Sequence, residues 1–169
     1  MTSKSRWFWP LALVLLVTDC ATKRVVEHRL AVGETQPVVG NVVRFTLSYN
    51  QNAAMGLDLG GQSRRLVLSA LTVAALLVLG MMYHRTHPSE RLRVIGVVLV
   101  AGGALGNLVD RIRSSAGVVD FIDVGVADVR FWTFNVADMG ITIGALLLLL
   151  ALGWKHSRGR AYSVGASPE

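Results

Sequence analysis

Leu66-Val67-Leu68-Ser69-Ala70-Leu71-Thr72-Val73-Ala74-Ala75-Leu76-Leu77-Val78-Leu79-Gly80-Met81-Met82-Tyr83 contains no Asp, Glu, Lys or Arg. A helix needs about 20 predominantly apolar residues to cross the hydrocarbon of a bilayer, so this run reads as a membrane span. Three further stretches lack the same four residue types: Trp7 to Val17, Val94 to Val109 and Met139 to Trp154. They reach spanning length only by taking in polar residues at one end. Those residues are Asp19 and Lys23 after the first run, Asn107, Asp110 and Arg111 at the end of the third, and Asn135 and Asp138 before the fourth. Composition agrees, since 52% of the 169 residues are hydrophobic and 17% are charged, which argues against an ordinary soluble domain. A single cysteine, Cys20, allows no internal disulfide and no Cys cluster for zinc or iron and sulfur. The expected fold class is an all-α membrane protein with four transmembrane helices over about 7–26, 66–83, 94–111 and 138–154. One domain would cover 1–169, with a small, polar, disordered tail at 159–169.

Basic residues crowd the short segments next to three span ends: Lys4 and Arg6, then Arg85, Arg91 and Arg93, then Lys155, Arg158 and Arg160. Density of Lys and Arg in short loops marks the cytoplasmic side, so both termini are expected inside and residues of about 25–65 and 112–134 outside. In the first outer segment, Gly40-Asn41 lies between Val38-Val39 and Val42-Val43, and Phe45, Leu47 and Tyr49 then alternate with polar neighbours. That pattern predicts a small extracytoplasmic β hairpin, to which 129–134 could add a short strand. The N-terminal run could also serve as the core of a signal peptide, and Cys20 invites comparison with a lipoprotein signal. Asp19 nevertheless stands where such a site needs a small residue, which leaves Cys20 as an inert helix residue.

This topology gathers Asp19, Asp110, Asp120, Asp123 and Asp138 on one face of the membrane. Ionisable groups at membrane depth cost roughly 2.5–3.5 kcal/mol each, so such a gathering marks a functional site or its ion-pair scaffold. Asp19 and Lys23, four residues apart, suit an internal ion pair. Gly102 and Gly106 form a GxxxG pair for close helix packing, and Asn107, Asp110 and Arg111 follow on one helical face as a polar clamp. Asn135 can cap the fourth helix, with Asp138 at its third position. Asp120 interrupts the apolar string Val118-Val119-Asp120-Phe121-Ile122, where an unpaired carboxylate is costly, while Asp123 beside Gly125 reads as an exposed turn residue. These patterns alone do not choose Asp120 over Asp110 as a reactive group.

The chain has no HExxH, GxSxG or phosphate-binding glycine loop, so water activated by carboxylates is the chemistry best supplied. A proton-coupled transporter would spread its carboxylates through the membrane depth, and none lies mid-span here. A noncatalytic assembly factor would account for Gly102 and Gly106 but leaves Asp120 and Asp138 without a task.

Five blocks in order carry a resemblance: Asp19-Cys20-Ala21-Thr22-Lys23, Asn50-Gln51-Asn52-Ala53-Ala54-Met55-Gly56, Gly102 to Arg111, Val118-Val119-Asp120-Phe121 and Phe134-Asn135-Val136-Ala137-Asp138. Together they resemble the signatures of the lipoprotein signal peptidase (signal peptidase II) family, with departures at Asn52, usually Gly, and Met55, usually Phe. The resemblance implies an aspartic endopeptidase of the bacterial inner membrane that cuts before the diacylglyceryl-modified cysteine of a prolipoprotein lipobox. It assigns the catalytic pair to Asp120 and Asp138, with Asn107, Asp110, Arg111 and Asn135 holding substrate or orienting the pair, and Asp19, Lys23 and Asn50 shaping the mouth. The expected partners are lipidated prolipoproteins and membrane lipid; no metal, cofactor or nucleic acid is expected, and the chain is expected to work as a monomer.

Overall fold

A computed structural model describes residues 5–51 and 61–164. Asn52 and Met55 lie outside the described residues. Four helices among the described residues, α1 (Ser5–Arg29), α2 (Gly61–Arg85), α3 (Arg91–Arg113) and α4 (Val136–Val164), contain the predicted spans and overrun them at both ends. Three segments, Ser63–Arg85, Arg91–Arg113 and Val136–Gly153, are long and apolar enough to cross a membrane. Helix α1 has the length, at 25 residues, but Asp19, Lys23, Arg24 and Glu27 load its C-terminal half with charge. Helix α4 continues to Val164, so 159–164, expected as part of a disordered tail, carry on the helix, while 165–169 lie outside the described residues.

Helix α3 is the centre of the bundle and packs on α1, α2 and α4. Its glycines make this possible. A Cβ on Gly103 would run into the Ala137 carbonyl, one on Gly102 would lie 3.1 Å from Leu15, and one on Gly106 would lie 2.6 Å from the Asp19 carboxylate. The GxxxG expectation holds, and a second close crossing, Gly96 against Gly144, adds to it: a Cβ on either would come within 2.9 Å of the other's carbonyl oxygen.

The sheet is antiparallel throughout, in the order β1 (Thr35–Val39), β2 (Val43–Asn50), β3 (Val118–Val126) and β4 (Val129–Arg130). The predicted hairpin forms with Val39 opposite Val43 and Gly40 at φ 51° in the turn, a conformation that glycine takes at low cost. The 129–134 segment supplies β4 and an isolated bridge from Phe134 to Ile122. Strand β3 was not anticipated as the partner of β2, because Val118 to Phe121 are all buried and show no in–out alternation. A core of Val26, Leu30, Leu47, Val119 and Phe121 fastens the end of α1 to this sheet. Strand β3 thus comes down onto the same end of the bundle where α1 and α3 finish and α4 begins.

Candidate active site

Helix α3 stops where Ser114 turns extended, and Gly117, at φ 114°, redirects the chain into β3. That reversal lays the start of β3 against the last turns of α3: the Val119 N–H donates to Asp110 Oδ2 at 3.2 Å. Asp120, the next residue, is 2% exposed. At the start of α4, Asn135 Oδ1 accepts the Asp138 N–H at 2.9 Å and Asp138 Oδ2 accepts the Asn135 N–H at 3.3 Å, a reciprocal cap with the carboxylate at the positive end of the helix dipole. The predicted cap is therefore present, and it also fixes the position of Asp138.

Asn135, wholly buried, bridges the two carboxylates. Its Nδ2 donates to Asp120 Oδ1 at 2.6 Å, while its Oδ1 holds the Asp138 backbone. Asn107 Nδ2 donates to Asp138 Oδ1 at 2.8 Å, and Asn50 Nδ2, from the exposed end of β2, donates to Asp120 Oδ2 at 3.0 Å. Beneath them Lys23 Nζ lies 2.7 Å from Asp19 Oδ2, 2.8 Å from Asp110 Oδ2 and 3.0 Å from Asn107 Oδ1. The predicted Asp19–Lys23 pair exists, yet both residues are at 0% exposure, so they form the floor of the site and not its mouth. Arg111 is half-buried, donates to the Asn107 carbonyl at 3.3 Å and lines a pocket with Asn50, Arg65 and Ser115. Every site residue expected from the sequence thus gathers at one junction of bundle and sheet.

The carboxylates divide by their partners. Asp19 faces Lys23; Asp110 faces Lys23 and, at 2.9 Å, Arg113; Asp123 faces Arg44 at 2.7 Å and Arg130 at 2.8 Å. Asp123 is consequently no exposed turn residue but a 5% exposed strand residue tying β2, β3 and β4 together. Asp120 and Asp138 have no cation within ion-pair distance among the described residues; their partners are amides. Burial pushes the Asp120 carboxyl up from 3.8 to about 6. The Asp138 charge adds to that rise, and the Asn50 and Asn135 amides and the Lys23 charge work against it. For Asp123 burial also raises, but the bonds from Arg130, Arg44 and Thr46 outweigh it and hold the carboxyl below 3.8. Sequence reasoning missed Arg113 and Glu27, joined at 2.9 Å, and Tyr49, which donates to Glu27 at 3.1 Å. The three-residue spacing from Asp110 to Arg113 was an available signal; the Glu27 link, which crosses between helices, was not.

Buried acids and amides at one end of an apolar helix bundle mark a membrane enzyme, and the solved neighbours are of that class. Two bacterial membrane enzymes solved by the in meso method superpose with a TM-score of 0.75 each, at 28% and 27% identity. They cover 84% and 94% of this chain and 89% and 91% of theirs. The family model described as Signal peptidase (SPase) II matches residues 11–154. A lipoprotein signal peptidase of Coxiella burnetii (strain Dugway 5J108-111) is 36% identical over 89% of this chain and 93% of its own. One of Escherichia coli (strain K12 / DH10B) is 34% identical over 92% and 93%. The chain belongs to the signal peptidase II family and is a membrane peptidase.

Proposed function

We propose that this peptidase removes signal peptides from prolipoproteins as an aspartic endopeptidase, cutting before the diacylglyceryl-modified cysteine, with Asp120 and Asp138 as the catalytic pair. The observation that carries the reading is the division of the carboxylates: the other acids of the junction are neutralised by Lys or Arg, whereas these two are held only by amides around one shared residue, Asn135.

Two neighbouring carboxyls do not readily both ionise, so one proton is shared between them. Asp138, held by N–H bonds from Asn107 and Asn135 at the mouth of α4, acts as the base that takes a proton from water. Asp120, buried and raised to about 6, is suited to hold the proton. It gives that proton to the scissile carbonyl oxygen as water adds; the proton taken by Asp138 then passes to the leaving amine as the C–N bond breaks, and Asp120 takes back a hydroxyl proton from the collapsing diol, which restores the pair. Asn50 and Arg111 border the opening and would bind substrate backbone, while Asp19, Lys23, Asn107, Asp110 and Asn135 support the pair from below.

The same reading places a single-domain monomer in the bacterial inner membrane, with α1 as a fourth span, both termini cytoplasmic and the sheet outside. Three points support it. Trp9, Leu13, Val14 and Val17 of α1 are exposed as a lipid-facing stripe, its Asp19 and Lys23 are buried against each other, and basic residues crowd the bundle end opposite the sheet.

The deciding experiment is cleavage of a synthetic diacylglyceryl lipobox peptide by the purified full chain in detergent. Wild type should cut the lipidated peptide and spare its unlipidated twin. Folded Asp120→Asn and Asp138→Asn proteins should each lose turnover by several orders of magnitude, and the double variant should lose little more. Near-normal turnover by either folded single variant refutes the pair.

A further inference from the structure

Lys23 makes more contacts than charge balance requires. Asp19 and Asp110 are balanced by Lys23 and Arg113, yet the Lys23 ammonium spends its third donor on Asn107 Oδ1 at 3.0 Å. An ammonium only donates, so the Asn107 amide must turn its oxygen to Lys23 and its NH2 away, toward Asp138 Oδ1 at 2.8 Å. The same Asn107 oxygen accepts Asn135 Nδ2 at 3.2 Å, and Asn135 Nδ2 reaches Asp120 Oδ1. A second route leaves through Asp110, whose Oδ2 accepts both Lys23 and the Val119 N–H, while the Val119 carbonyl accepts Asn135 Nδ2 at 3.2 Å. The residue before Asp120 is thus held from both sides.

We infer that Lys23, enclosed where no substrate reaches, is a positioning residue: its ammonium fixes the hydrogen-bond polarity and placement of the Asp120–Asp138 pair, through Asn107 on one side and Asp110 with Val119 on the other. This rests on the reading of those two carboxylates as the reacting groups. Oδ1 of Asp120 and of Asp138 accepts from Asn135 Nδ2 and Asn107 Nδ2, and Oδ2 of each accepts from Asn50 Nδ2 and the Asn135 N–H, so every donor on the pair among the described residues is an amide whose aim the network sets. A chain of bonds starting at a charge also makes each amide a stronger donor than it would be alone. The charged groups around Lys23 are Asp19 on its own helix, Asp110, Arg111 and Arg113 from α3, Asp120 from β3 and Asp138 from α4. Taking the ammonium away frees the Asn107 amide to turn and removes the charge that lowers the Asp120 carboxyl. The acidic limb of the kcat profile therefore moves to higher pH.

Lys23→Met alone strands the Asp19 carboxylate in a dry site and can fail to fold. The informative protein is Lys23→Met combined with Asp19→Asn, which removes the pair without net charge and leaves Asp110 on Arg113 and Val119. In detergent, with the lipidated lipobox peptide, it should stay folded by circular dichroism and thermal melting and keep KM. Its kcat should fall about 10²-fold, the cost of a misplacement near 1 Å, and its acidic limb should move to higher pH. A purely structural Lys23 would lower the folded fraction, or kcat at all pH values, with the limb unmoved. A folded double variant with an unmoved limb overturns the inference, whether or not its kcat falls. Asp120→Asn runs beside it: if that protein turns over normally, the catalytic pair itself is wrong, and if it is inactive while the limb of the double variant stays put, only the role of Lys23 is refuted.

Discussion

Asp120→Asn should stabilise the protein at neutral pH while it abolishes turnover. The folded Asp120 carboxyl sits at about 6 against 3.8 for an ordinary Asp, because burial outweighs its amide partners. A raised acid contributes no penalty below pH 3.8; stability is then lost progressively as pH rises through about 6, and the full cost persists above it. At about 1.4 kcal/mol per unit, that cost is about 3 kcal/mol. Asn never ionises and can still accept Asn135 through its oxygen. Melting of both proteins in one detergent at pH 4, 6 and 8 should show little difference at the lowest pH and a gain for the variant at the highest. With about 2–4 °C per kcal/mol for a chain of this length, the gain at pH 8 is roughly 6–12 °C. A variant less stable than wild type at pH 8, or a difference that does not vary with pH, would refute the electrostatic reasoning.

Gly106→Ala would set a methyl 2.6 Å from Asp19 Oδ2 and 3.3 Å from the Ala137 side chain, so roughly 1–3 kcal/mol of stability and much of the activity should go together. Gly102→Ala crowds the tip of Leu15 at 3.1 Å and meets the Ala12 backbone at an ordinary contact distance of 3.4 Å, so its melting and turnover should stay close to wild type; equal losses in the two proteins would sink the packing argument. Asp123→Asn removes the carboxylate that joins Arg44 to Arg130. Its melting temperature should drop by the equivalent of roughly 1–3 kcal/mol at pH 7, with a smaller loss as pH falls through the depressed folded value, while the folded fraction keeps cutting. Cysteines introduced at Ser63 and Ser89 in a Cys20→Ala background should react with an impermeant thiol reagent in intact cells at Ser63 only. Labelling at Ser89 alone would reverse the orientation.

Under the proposed aspartic mechanism the peptidase needs its two acids close together and without cations. It also needs other buried charge to fix helices that lipid alone would let slide. Here the two demands fall on different residues. Lys23, Arg113, Arg44 and Arg130 compensate Asp19, Asp110 and Asp123, and breaking a compensated buried pair leaves a costly lone charge, which holds the scaffold to one arrangement. The amides of Asn50, Asn107 and Asn135 hold Asp120 and Asp138 without cancelling their charge, which is what the proposed proton sharing requires.

Much of this was legible in the sequence because the signals are local. Apolar runs give helices whatever surrounds them, Gly40-Asn41 gives its turn, and Asp19 with Lys23, or Asn135 with Asp138, interact at spacings that one helix turn fixes. Tertiary structure alone decided that Asp120 and not Asp110 lacks a cation, since Lys23 comes from α1, on a different helix, and Arg113 could have pointed elsewhere. It also put Asp123 between two arginines and buried both faces of β3, which erased the alternation that would have announced a strand. Spacing along the chain fixes which side chains share a helix face, but neutralisation is a matter of distance in space, and the partners that neutralise these acids come from elements up to 87 residues apart, Lys23 to Asp110.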